Sequence, residues 1–263
     1  MKQKRGIIIT DTHCGDDLGL TPQKYIRQHR PTTKAMLDFW QWFVREIKDC
    51  GRFDVCIDLG DCVNGNPKNN SRSLVTNDMS EQVEIAIETR KIIVADTWRF
   101  CYGTDCHVGG SEDYEKRVAQ AFGGSITTEQ LLDINGCTIS AMHKRGFGKS
   151  SNPAGAGSSL GKAGINTFIE EKKRSDKTSQ ILLSGHVHNF EWYGNPYYQV
   201  MSCPPLQIAH RDSTPYARGF VSSYDVGFLT FTIDKKGYFV LDKPHIFVVT
   251  LKPKKEGRYE KIK

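Results

Sequence analysis

Short, uniformly apolar runs separated by amphipathic stretches set the pattern of the first half of the chain. "RGIIIT" (5–10) and "FDVCIDLG" (53–60) are apolar at successive positions, which predicts strands buried on both faces. Between them, "TKAMLDFWQWFVREIKDCG" places Met36, Phe39, Trp40, Phe43 and Ile47 at helical spacing, with Gly51 as a stop. "SEQVEIAIETRKIIVADT" predicts a second helix and "WRFCYGT" (98–104) a third strand. "SEDYEKRVAQAFGG" predicts a helix with Ser111 as N-cap, acids in its first turn and a Tyr114, Val118, Phe122 stripe.

Beyond that helix the pattern shifts toward strands: "EQLLDI", "CTISAMH", then "QILLSG" after a helix over 160–174. From 190 onward mostly antiparallel strands are expected, among them "FLTFTID" with Leu229, Phe231 and Ile233 on one face, followed by "KKG" and "YFVL". No repeat or linker interrupts the chain. The reading is one α/β domain over 1–263, built on packed sheets with helices outside.

Composition narrows this only a little. The chain is 38% hydrophobic and 25% charged, as globular proteins are. The start, "MKQKRGIIITDTH", has no signal-peptide pattern and no apolar run reaches membrane-spanning length, so a cytoplasmic protein without membrane contact is expected. The net charge of +6 favours anionic substrates, but is too small to indicate nucleic-acid binding by itself. None of the eight cysteines forms a C-x-x-C pair, which argues against a zinc ribbon or a thioredoxin-like site.

The chemistry gathers where the apolar runs end. The first leads into Asp11-Thr12-His13, the second into Gly60-Asp61, and the third into Gly103-Thr104-Asp105-Cys106-His107. "CTISAMH" closes on His143, and "ILLSG" runs into His186-Val187-His188. Residues two apart in extended chain share a side, so the last pair is expected side by side. Ligands bind at the carboxyl edge of such sheets. Two aspartates with four or five histidines suit Mn, Fe, Zn, Ni or Co rather than calcium. They exceed what one catalytic metal needs, while two metals sharing a carboxylate would use them all.

These pieces together, "DTH" at 11–13, "GD" at 60–61, "GTDCH" at 103–107, His143 and "GHVH" at 185–188, resemble the calcineurin-like metallophosphoesterases. The motifs span 11–188, and the resemblance implies a four-layer αββα sandwich of two mixed β-sheets, with the β-rich part from 190 to 263 supplying much of the second sheet. It implies two divalent metal ions, Mn foremost with Fe, Zn, Ni or Co as alternatives. Asp11, His13 and His188 would hold one, His143 and His186 the other, with Asp61 bridging. It further implies hydrolysis of phosphomonoester or phosphodiester bonds by a metal-bridging hydroxide, with His107 as general acid. The family's G-N-H motif is altered here: "GTDCH" has no asparagine and is longer. Asp105 is the first candidate for the missing ligand, with Thr104 or water as alternatives.

"KRGFGKSSNPAGAGSSLGKAG" (144–164) reads either as a loop over the substrate, with Lys144, Arg145 and Lys149 available for phosphate, or as plain surface loop. "GKS" at 148–150 is no P-loop, because His143 stands where its upstream glycine belongs. Cys14, Cys62 and Cys106 neighbour the proposed ligands, but a neighbour on extended chain points the other way. The resemblance implies a phosphate-ester substrate, with a nucleotide or nucleic acid in scope. A nuclease acting on DNA or RNA ends, a protein-binding module on the same fold such as the related retromer subunit, and a mononuclear zinc hydrolase are the competing readings. The last lacks an H-E-x-x-H motif.

Overall fold

A computed structural model describes residues 1–65, 74–108, 112–145, 156–174, 178–208 and 225–247. In chain order its elements are β1 (Lys4–Ile9), α1 (Thr33–Cys50), β2 (Phe53–Asp58), α2 (Met79–Arg90) and β3 (Ala95–Cys101). They continue with α3 (Asp105–Val108), α4 (Tyr114–Ala121), β4 (Ser125–Thr127), β5 (Glu129–Ile134), β6 (Cys137–Met142) and α5 (Ala156–Arg174). The last are β7 (Ile181–Ser184), β8 (Glu191–Gly194), β9 (Gln199–Ser202), β10 (Val226–Ile233), β11 (Phe239–Leu241) and β12 (His245–Phe247).

Two mixed sheets result. The seven-stranded sheet runs β11-β10-β1-β2-β3-β4, with β12 also on β10, and the five-stranded sheet runs β5-β6-β7-β9-β8. Strands β1 to β4 lie parallel in the first sheet, and β6, β7 and β9 lie parallel in the second. Their carboxyl ends all point toward the site.

Alternation along the strands sorts side chains into three apolar layers. Ile7, Ile9 and Cys56 face α1 and α2 through Phe39, Phe43, Ile47, Val83 and Ala86. Ile8 and Ile57 face the other way and meet Ile139, Leu183, Met201 and Phe231 between the sheets. Leu182 and Val200 turn outward to Leu160 and Phe168 on α5. Three apolar seams between four layers make the expected αββα sandwich. Each buried Phe, Leu or Ile in these seams stabilises by about 1.5–3 kcal/mol.

The structure corrects several details. Trp42 rather than Trp40 takes the buried place on α1, beside Phe39, Phe43 and Ile47. Asp113 caps α4, its side chain accepting from the Lys116 amide at 2.8 Å, whereas Ser111 lies outside the described residues. The third strand begins at Ala95, ahead of the expected start. The part after 190 is divided: β8 and β9 join the second sheet, while β10 to β12 return to the first. Pairing of the strands after 190 is antiparallel for β8 with β9 and for β10 with β1, β11 and β12, and β9 pairs parallel with β7. Among the described residues no helix is long and apolar enough to cross a membrane.

Candidate metal centre

The parallel pairing of β1 with β2 continues beyond the strands. The amides of Asp11, His13 and Cys14 donate to the carbonyls of Gly60, Asp61 and Cys62 at 3.0, 3.0 and 3.1 Å. This ladder ties the loop bearing Asp11 and His13 to the loop bearing Asp61. The Gly185 amide donates to the His143 carbonyl at 3.0 Å and couples the loops after β6 and β7 in the same way. Leu206 N–H donates to Thr10 O at 3.0 Å and joins the two sheets beside the site.

The backbone at these positions is unusual. Asp11 (φ 49°), His13 (φ 41°), Asp61 (φ 52°), His186 (φ 71°) and His188 (φ 53°) are all left-handed. That conformation costs a non-glycine residue about 1–2 kcal/mol, and such costs concentrate at functional sites. Asp and His tolerate it better than most residues. It also corrects the expectation that His186 and His188 stand side by side on extended chain. Past the end of β7 they diverge into different clusters.

Three groups of ligand atoms form, each with its atoms within 4.8 Å of one another: Asp11, His13 and His188; His13, Asp61 and His107; and Asp61, His143 and His186. The first and second share His13, and the second and third share Asp61. In the first, His188 Nε2 lies 3.1 Å from Asp11 Oδ1 and 3.3 Å from His13 Nε2. In the second, His13 Nε2 and His107 Nε2 each stand 3.9 Å from Asp61 Oδ2. In the third, His143 Nε2 is 3.1 Å from the same oxygen.

Protein donors occupy the far oxygen of each carboxylate. Asp11 Oδ2 accepts from the Thr10 hydroxyl at 2.6 Å and the His186 amide at 3.0 Å, which leaves Oδ1 to the imidazoles. Asp61 Oδ1 accepts from the Thr104 amide at 2.7 Å and its hydroxyl at 3.1 Å, and Oδ2, which the same hydroxyl reaches at 3.3 Å, faces the histidines. Backbone carbonyls set two tautomers, because a carbonyl can only accept. His143 Nδ1–H donates to Leu59 O at 2.9 Å and His107 Nδ1–H to Asn64 O at 2.6 Å. Each ring therefore offers Nε2 to the site.

Charge at the centre is polarised. Burial pushes the His13 imidazole down to about 4, so it is neutral at physiological pH. Burial opposes protonation of His143 as well, but the Asp11 and Asp61 carboxylates prevail and hold it up at about 9. Burial would raise both aspartates. The charges of His188 and His143 instead keep Asp11 well below the usual carboxylate range, and His143 does the same for Asp61. Among the described residues, the buried His143 Nε2 makes no hydrogen bond although Asp61 Oδ2 is near, and His13 Nδ1 likewise has no partner. An orphaned imidazole nitrogen beside a carboxylate is the donor set that a divalent cation completes. The residues fit a metal of the Mn, Fe, Zn, Ni or Co type.

Other sequence candidates fall elsewhere. Asp105 belongs to none of the ligand groups and is exposed at the start of α3, while Thr104 is the residue that reaches Asp61. The "GTDCH" backbone turns the Thr104 amide inward, which leaves the next side chain facing out. Lys144 is exposed beside His143. The Arg145 side chain is buried, its Nε donating to Leu183 O at 3.2 Å and its guanidinium also engaging Ser140 and Glu129. It is therefore spent on β5, β6 and β7 and is not available for phosphate. Lys149 and the Cys106 side chain lie outside the described residues. Cys14 and Cys62 are buried, and burial raises both thiols, so neither offers a thiolate.

Two supports carried no sequence signal. Glu115 on α4 is fully buried and accepts the Cys62 amide at 2.8 Å and the Gly103 amide at 2.7 Å, clamping the loops after β2 and β3 together. Burial, reinforced by the Asp61 charge, pushes its carboxyl up to about 7. Arg90 on α2 donates to Asp58 at 2.7 Å and to the Thr12 hydroxyl at 3.2 Å, a buried ion pair beneath the same loops. Both could be found only by pairing an acid or base on a helix with loops distant in sequence.

No family model and no curated protein matches the chain. Among solved structures it is similar to Yfce, a phosphoesterase from E. coli, at 12% identity, covering 88% of this chain and 88% of that one with a TM-score of 0.44. It is also similar to an archaeal phosphodiesterase at 10% identity, covering 90% and 98%, with a TM-score of 0.46. Vps29 from Entamoeba histolytica, complexed with zinc, is similar at 12% identity, covering 92% and 99%, with a TM-score of 0.44. These likenesses concern the fold. What the site can do rests on its own atoms.

Proposed function

We propose that this chain is a calcineurin-like metallophosphoesterase that hydrolyses phosphate esters with two divalent cations, Mn foremost. The observation that carries the reading is the unbroken chain of ligand groups, joined through His13 and Asp61, with Asp11, His13, Asp61, His186 and His188 on left-handed backbone. Asp11, His13 and His188 would hold one cation, and His143 and His186 the other, with Asp61 shared. Bound divalent cations activate water and offset charge on phosphoryl oxygens.

The chain's own residues do the rest. Thr104 and Thr10 hold the two carboxylates so that one oxygen of each faces inward. His107, with Nδ1–H fixed on Asn64 O, keeps Nε2 as the atom that carries a proton to the departing oxygen. Lys144, next to His143, meets a phosphate oxygen as a point charge.

The test is metal analysis with Mn-dependent hydrolysis of mono- and diester nitrophenyl phosphates by wild type, Asp61→Asn and His107→Ala. Asp61→Asn should lose metal. His107→Ala should keep it and lose about 10²–10⁴-fold in rate. Metal loss in His107→Ala would instead make His107 a ligand, which its 3.9 Å approach to Asp61 also permits. Equal activity in all three proteins would overturn the reading.

A further inference from the structure

We infer that a cleft beside His143 recognises the ribose diol of a nucleoside monophosphate and that Asp105 is the residue that selects it. This rests on the phosphoesterase reading above and names its substrate class. The cleft, of about 270 Å³, is lined by Tyr102, Thr104, Asp105, Met142, His143 and Lys144 among others. His143 belongs to the group with Asp61 and His186, and Thr104 holds Asp61, so the cleft opens directly against that end of the centre. An ester whose phosphate sits there has its organic group in the cleft.

The lining restricts what that group can be. The volume falls just under the roughly 300–1,000 Å³ of drug-sized ligand sites, which is room for a nucleoside-sized group. Asp105 and Lys144 are both exposed, and neither has an ion pair or side-chain hydrogen bond among the described residues. Lys144 adjoins His143 and serves the phosphate. Asp105 carries negative charge, so it repels a second phosphate and disfavours di- and triphosphates. A carboxylate only accepts hydrogen bonds, and two adjacent hydroxyls give it two donors, which is how acidic residues commonly hold ribose. Tyr102 and Met142 supply an aromatic and a thioether wall on which a flat base can rest.

Calorimetry on the metal-free protein tests this with adenosine and its 2′,3′-dideoxy analogue as probes. Wild type should bind adenosine about 10-fold more tightly than the analogue, the effect of hydrogen bonds to a charged acceptor at a solvent-open site. Asp105→Asn should erase that preference. Absence of adenosine binding to wild type, or a preference that survives in Asp105→Asn, would overturn the inference. The phosphoesterase reading is judged apart from it by Mn-dependent turnover of nitrophenyl phosphate, which has no diol. Turnover without diol preference sinks only the diol site, whereas diol preference without turnover sinks the phosphoesterase reading and leaves a nucleoside-binding cleft that has no hydrolytic role.

Discussion

His143 Nε2 and Asp61 Oδ2 stand 3.1 Å apart, with the other ring nitrogen of His143 committed to the Leu59 carbonyl. Without metal, burial opposes protonation of His143 but the Asp11 and Asp61 carboxylates prevail and hold its imidazole up at about 9, so Nε2 carries a proton at neutral pH. A cation entering there must displace that proton. Metal binding at pH 7 should therefore release about one proton from His143, whereas His13, already neutral, releases none. Affinity should rise about 10-fold per pH unit and level off above 9. Calorimetric titration of Mn in buffers of different ionisation enthalpy measures the release. A value of zero at pH 7 would contradict this arrangement.

Gly185 separates β7 from His186, and its hydrogen leaves room for the Asp11 brace. A methyl group at Gly185 would clash with Thr10 Oγ1 and lie 2.6 Å from Asp11 Oδ2. Gly185→Ala must push this pair aside, at about 1–3 kcal/mol for an overpacked site. Because the displaced atoms orient Asp11, metal affinity should fall at least as sharply as stability. Denaturant unfolding and Mn titration on one preparation compare the two losses. Undiminished metal affinity in a folded Gly185→Ala variant would refute the brace.

Asp11, His13, Asp61, His143, His186 and His188 could be singled out in the sequence because five apolar runs each end on Asp or His, a coincidence that no single one of them carries. Their conformation could not. Alternation assumes extended chain, and His186 and His188 are left-handed. Glu115 looks like any acid in a first helical turn, and nothing near it in sequence shows that its partners are the Cys62 and Gly103 amides. The carbonyls of Leu59 and Asn64 leave no signature at all, since every residue has one. Strand β10 reads clearly as a strand, but its pairing with β1 is a long-range choice that periodicity does not encode.

Arg90 and Asp58 form a buried ion pair at 2.7 Å, with side chains 1% and 0% exposed. Removing one partner strands the other charge in the interior. Arg90→Leu should cost about 3–5 kcal/mol, and the double variant Arg90→Leu with Asp58→Asn should recover much of it. Chemical denaturation of the single and double variants measures this. A double variant no more stable than Arg90→Leu alone would mean that Arg90 acts mainly through Thr12 and its own helix.

Glu115 gives the fold a pH dependence of opposite sign to that of Asp11 and Asp61. Its carboxyl, ordinarily near 4.5, is held up at about 7, so the folded state favours the protonated form. That contribution is complete below 4.5, declines as pH rises, and is gone above about 7, a change of about 3 kcal/mol. The two aspartates, with lowered values, instead lose stability as pH falls through the acid range. Glu115→Gln removes the titration, and its amide can accept only one of the two backbone N–H groups that Glu115 holds. In metal-free protein, the stability of wild type relative to Glu115→Gln should therefore fall between pH 4.5 and 7. The variant should also bind metal more weakly at pH 7, because the loops carrying Asp61 and Thr104 lose half of their clamp. Parallel pH profiles for the two proteins would show that Glu115 does not titrate in this window.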